Sequence, residues 1–127
     1  MCLQVFLVPA VANKVGAERL SRVAGLRVEK RHGEFHISVD GGCSCSLMSD
    51  NADWNAPTWD LDPKVLDGLA RALRLLAEEA GGFELQALWI GDEPQTRSHS
   101  SLSKVVSDLQ QNRLRNRHVY VVGKSAA

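Results

Sequence analysis

Residues 62–82 read DPKVLDGLARALRLLAEEAGG, and this stretch constrains the fold more than any other. Asp62 suits an N-cap, Pro63 the first helical position and Gly81 a helix end. Val65, Leu66, Leu69, Leu73, Leu76 and Ala80 share one face at helical spacing, which predicts an amphipathic helix over 63–80. Asp67 with Arg71, and Arg74 with Glu78, stand four residues apart on the other side and predict ion pairs along the helix. A helix with one apolar stripe must bury it against a second layer.

The flanking segments supply that layer. Cys2–Val8 is β-rich and almost continuously apolar, as in a strand buried on both faces, and Pro9 ends it. Residues 1–10 lack the basic start and cleavage site of a secretory signal. Residues 11–25 predict a short helix with Val11, Val15, Leu20, Val23 and Ala24 near one face, interrupted by Gly16. Leu26–Lys30 and Phe35–Val39 alternate with period two around a glycine-containing turn, a β-hairpin that places Phe35, Ile37 and Val39 together and His36 and Ser38 opposite. Phe83–Ile90 predicts a strand, GDEPQTRSH a loop, and SSLSKVVSDLQQNR a helix with Leu102, Val105, Val106 and Leu109 inward. His118–Val122 predicts the last strand.

This order implies an α/β fold: a single-domain sandwich over residues 1–127, with a mixed, partly parallel sheet of about five strands and two to three helices. Helical crossovers make strand one parallel to strand two, and strand four parallel to strand five, wherever each pair shares the sheet. The hairpin makes strand three antiparallel to strand one. The start of strand one and the end of strand three then meet at one edge, which brings Cys2 towards Cys43 and Cys45.

Asp40–Leu61 reads as a long loop, and loops of that length in compact domains tend to be functional or disordered. Burial of Trp54 and Trp59 is the expected source of its order. Within it, GGCSC holds Cys43 and Cys45, which as a Cys-x-Cys pair can chelate a soft metal, zinc for example. Zinc takes four ligands at structural sites, so Cys2 and either His36 or His99 would have to complete the set. The same thiols suit redox exchange. The plain alternative is a buried Cys2 and two loop cysteines without chemistry. Asp92, just past a strand end, is a candidate site carboxylate, since sites in open α/β sheets form there.

Charge is balanced overall at 15 basic against 15 acidic residues, but residues 1–39 carry +3, 40–96 carry −8 and 97–127 carry +5. Neighbouring segments are expected to neutralise one another. Arg113, Arg115 and Arg117, with Trp54 and Trp59, are the candidate surface for a protein partner or a second copy of the chain. No aromatic residues interleave the arginines, which argues against nucleic-acid binding. No apolar run reaches the roughly 20 residues of a membrane span, and three cysteines fit a cytoplasmic protein.

Met-Cys-Leu at the start, Gly-Cys-x-Cys after a strand and Gly-Asp-Glu after a later one resemble an uncharacterised family of small bacterial proteins. The pieces agree in order across residues 1–94, with Ser44 where that family has glycine. The resemblance implies no activity; it groups Cys2, Cys43, Cys45 and Asp92 as one constellation. The expected function is soft-metal binding or thiol redox chemistry at a cysteine cluster. The alternative is a non-enzymatic interaction module built on the Trp-bearing acidic loop and the arginine-rich segment.

Overall fold

The computed structural model describes residues 3–41, 44–49, 57–89 and 93–123. In chain order the elements are β1 (Leu3–Pro9), α1 (Ala17–Ala24), β2 (Arg27–Arg31), β3 (Glu34–Ser38), a 3₁₀ turn (Ser44–Leu47), α2 (Pro63–Glu79), β4 (Gly82–Trp89), β5 (Thr96–His99), α3 (Leu102–Gln110) and β6 (His118–Gly123). One six-stranded sheet runs in the order β2-β3-β1-β4-β6-β5. Its β5–β6 pair is parallel and the other pairs are antiparallel. This is the expected α/β sandwich with one strand more.

Strand alternation decides which side chains meet the helices. Leu3, Val5 and Leu7 of β1 join Ile37, Leu85 and Val122 of neighbouring strands in one core. Leu20 of α1, Leu69, Leu73 and Leu76 of α2, and Val105 and Leu109 of α3 pack into that same core. All three helices therefore cover one face of the sheet. Each leucine fully buried there contributes about 1.5–3 kcal/mol.

The expected parallel pairing of the fourth and last strands is corrected. β4 pairs with β6 antiparallel, from Gly82 opposite Gly123 to Leu85 opposite Tyr120. The chain reverses after β4 and enters β5, inside the segment expected as loop, and it is β5 that α3 connects to β6 in parallel. Thr96–His99 has no apolar alternation because it is a largely exposed edge strand with little to bury, so periodicity cannot announce it. Two smaller corrections have local causes. Gly16 is the extended N-cap of α1 rather than an interruption, so the helix starts at Ala17 and leaves Val11 exposed. Val39 lies beyond the end of β3 and is also exposed, apart from Phe35 and Ile37.

The long loop is ordered where it is described. Leu47, Trp59 and Leu61 are each at most 2% exposed. Trp59 Nε1 donates to the Arg115 carbonyl at 3.0 Å. The side chain of Asn112 accepts from Leu61 N–H at 3.0 Å and donates to Leu61 C=O at 3.1 Å, acting as a short stretch of strand. Trp59 thus supplies the expected anchor; Trp54 lies outside the described residues.

Among the described residues, neutralisation between the charged segments is seen at two places. Arg19 of α1 pairs with Glu79 of α2 at 2.6 Å, and Arg97 of β5 reaches across β6 to Glu84 of β4 at 2.9 Å. Among the described residues neither Asp67–Arg71 nor Arg74–Glu78 forms an ion pair. Arg71 instead donates from Nε to the Val23 carbonyl at 2.9 Å, satisfying the C-terminal end of α1. Among the described residues no helix is long and apolar enough to cross a membrane.

α1 and α2 touch at Gly68, where an added Cβ would stand 1.9 Å from the Ala24 carbonyl oxygen. Glycine inside a helix costs about 1 kcal/mol relative to alanine. Here that loss permits the helix crossing. Gly68→Ala is therefore expected to destabilise the protein by a net amount of about 1–3 kcal/mol, as overpacking usually does. Denaturant unfolding measures it; an unchanged or raised midpoint would mean the two helices separate freely at this point.

Candidate functional site

β1 lies inside the sheet, so its backbone needs partners on both sides. On one side β4 runs beside its whole length, from Leu3 opposite Trp89 to Pro9 opposite Phe83. On the other, β3 pairs only with Val5, Phe6 and Leu7 before the chain turns away. Side chains of the 3₁₀ turn complete that edge. Ser44 Oγ accepts from Val5 N–H at 2.9 Å and donates to the Ile37 carbonyl at 2.5 Å, bridging the two strands. Cys45 Sγ accepts from Leu3 N–H at 3.2 Å. Ser46 Oγ accepts from Val39 N–H at 2.9 Å and holds the other flank of the turn.

Ser44, which stands between the two cysteines in sequence, is thus buried and joins two strands. Gly41, with φ 92°, lets the chain turn away from β3, and Leu47 anchors the 3₁₀ turn in the core. Cys45 is half-buried, packs against the core and receives an N–H donor, a bond that stabilises a thiolate more than a thiol. Cys2 and Cys43 lie outside the described residues, as does Asp92. In sequence, however, Cys2 is bonded directly to Leu3, whose amide meets Cys45, and Cys43 directly precedes Ser44.

His36 is not brought to this turn. It alternates with Phe35 and Ile37 and so lies on the sheet face away from the core against which Cys45 packs. There it pairs with Glu34 at 3.1 Å and stacks on Phe6, ring centroids 5.3 Å apart. His99 stands on β5 at the far edge of the sheet. Among the described residues no three His, Cys, Asp or Glu side chains gather as metal ligands. Of the candidate partner surface, Trp59 belongs to the core, whereas Arg113, Arg115 and Arg117 are exposed.

A second cluster escaped the sequence reading. His118 is 1% exposed, and both of its ring nitrogens meet hydroxyl groups: Thr96 Oγ1 at 2.5 Å from Nδ1 and Ser98 Oγ at 2.6 Å from Nε2. Arg115 Nη2 stands 3.4 Å from Nδ1. The Tyr120 ring meets the imidazole edge-on at 4.5 Å, and its hydroxyl accepts the Arg115 N–H at 2.7 Å. Guanidinium can only donate, so Nδ1 is the acceptor and the proton sits on Nε2, facing Ser98. Burial, and secondarily the Arg115 charge, lower the His118 pKa below its usual value. Neither residue type nor spacing reveals this cluster, because Thr96 faces His118 only through the parallel register of β5 and β6.

Neither a family model nor a curated protein or solved structure matches this chain.

Two outcomes follow from these contacts. Ser44→Ala strands the Val5 amide and the Ile37 carbonyl, and each buried group left unpaired costs roughly 1–3 kcal/mol. A loss of that order in denaturant unfolding is expected; a change near zero would mean the strands close directly without the hydroxyl. For His118, the lowered folded-state pKa means the unfolded chain binds its proton first as pH falls. The stability it contributes is therefore complete above the unfolded value of about 6.5 and is lost as pH drops through it. His118→Gln should flatten that part of the stability–pH curve relative to the parent protein. An identical curve would show that His118 does not sense the fold.

Proposed function

We propose that this is a small cytoplasmic protein whose Cys2, Cys43 and Cys45 form a thiol centre for soft-metal binding or thiol redox chemistry. The observation that supports it is the hydrogen bond from Leu3 N–H to Cys45 Sγ at 3.2 Å. Cys45 thereby meets Leu3, the residue that follows Cys2 in the sequence. As a metal site, the centre would use thiolates as soft donors for zinc or copper. Backbone N–H groups aimed at the sulfur would offset the charge of the thiolates, as outer-sphere donors do at metal centres. As a redox site, one thiolate would attack a partner disulfide and a second would resolve the mixed disulfide. That returns the partner as two thiols and leaves an intramolecular disulfide.

Interaction through the acidic loop is the weaker reading, because Trp59, half of its aromatic content, is occupied in the core.

Anaerobic purification under reducing conditions, followed by elemental analysis and thiol counting, tests the proposal. Stoichiometric zinc or copper, lost in the Cys43→Ser/Cys45→Ser protein, is the outcome expected of a metal centre. Metal-free protein in which glutathione disulfide oxidises two of the three thiols to a disulfide is the outcome expected of a redox centre. Protein that stays metal-free after titration with zinc and with copper(I), and whose three thiols resist oxidation, would overturn both.

A further inference from the structure

The β5–β6 edge carries a second set of reactive groups, distinct from the thiols in residue and position. Thr96 is exposed at the sheet edge, and its hydroxyl donates to the Nδ1 lone pair of His118 at 2.5 Å. The other face of the imidazole is fixed, since Nε2–H donates to Ser98 Oγ at 2.6 Å. This is the arrangement of an activated nucleophile: a hydroxyl on a base, and the base held in one tautomer by a third group. Arg115 adds a cation. Its Nη2 shares the Nδ1 neighbourhood at 3.4 Å, and among the described residues it has no carboxylate partner. Its side chain is exposed, as is Thr96, so both are open to a substrate from solvent. The site is also pre-ordered. Tyr120 packs on the ring of His118 and holds the backbone of Arg115, and His118 itself is buried between strands.

We propose that Thr96 is a nucleophile for acyl transfer from carboxylic esters, with His118 as general base and Arg115 as donor to the carbonyl oxygen. Thr96 Oγ bonds to the carbonyl carbon as its proton passes to Nδ1. The bond from that carbon to the alcohol oxygen breaks, and the departing alkoxide takes the proton from Nδ1. Water then attacks the acyl-threonine and gives a proton to Nδ1. The carboxylic acid leaves as Thr96 Oγ recovers that proton. Arg115 stabilises the oxyanion formed in both steps, where a preorganised donor has its largest effect. Ser98 is a positioning residue: it holds Nε2–H and so keeps the lone pair of Nδ1 on Thr96. The lowered pKa of His118 keeps the base form available below the ordinary histidine range.

The full chain, treated with p-nitrophenyl acetate and with an alkyl fluorophosphonate, tests this by intact mass and peptide mapping. The expected result is one adduct on Thr96. Thr96→Val, which removes the hydroxyl but keeps the β-branched shape, should lower that adduct at least tenfold, and Thr96→Ser, which keeps a hydroxyl on His118, should retain it. The rate of labelling should hold at pH values below about 6.5, the ordinary histidine pKa, and its acid limb should move further down in Ser98→Ala, which removes the acceptor that favours the imidazolium. An absent adduct, an adduct on another residue (Ser98 included), or equal labelling of Thr96→Val would overturn the proposal. So would a labelling rate with an acid limb unmoved by Ser98→Ala. None of these outcomes bears on the thiol centre, which is read from metal content and thiol count.

Discussion

The backbone of β1 is the constraint on which the rest of the structure depends. An inner strand exposes a row of N–H and C=O groups on each side, and all of them need partners once the strand is buried. β4 meets the need on one side over seven residue pairs, but β3 stops after three on the other. The deficit at Leu3 and Val5 is made up by the thiol of Cys45 and the hydroxyl of Ser44. A short polar turn is thereby required at one end of the sheet, and Leu47 and Leu61 bury beneath it to hold the turn in place. The same requirement brings Cys45 to the start of β1, beside the residue that follows Cys2 in the sequence.

A second consequence follows from placing all three helices on one face. The opposite face has no covering layer among the described elements, and its side chains pair with one another. Glu29 meets Arg31 at 2.7 Å, which holds its carboxyl below the ordinary range, and His36 meets Glu34 beside the ring of Phe6. Arg97 crosses β6 to reach Glu84 at 2.9 Å. Such exposed pairs stabilise a fold only slightly, because solvent screens them. Their effect is on chemistry: they occupy His36 on the wrong side of the sheet for any shared site with Cys45.

At the far edge, the parallel β5–β6 pair solves a different problem. An edge strand of Thr, Arg, Ser and His contributes little apolar burial, so its attachment rests on the ladder and on the two hydroxyls clamped to His118. Burying an imidazole without a carboxylate favours the neutral ring. A neutral, doubly bonded histidine beside an exposed hydroxyl and an arginine is both a latch for the edge and the basis of the proposed nucleophile.

By itself the sequence determined the local elements: α2 from its cap, proline and leucine stripe, the hairpin from its alternation, and the antiparallel relation of β1 to β3 that follows from it. These signals are short-range, since periodicity and capping depend on residues within a turn or two. The sheet edge to which Cys45 comes, beside the start of β1, was legible for the same reason. Only the tertiary structure decided the rest. Whether Arg71 met Asp67 or the end of α1, whether Trp59 faced a partner or the core, and where Thr96 lay relative to His118 all depend on segments distant in sequence. The chain reversal after β4 belongs with them, because a polar edge strand leaves no hydrophobic pattern to read. Long-range pairing is chosen by the summed burial of the whole core and by the need to satisfy every inner backbone group, and neither quantity is stored in any one stretch of residues.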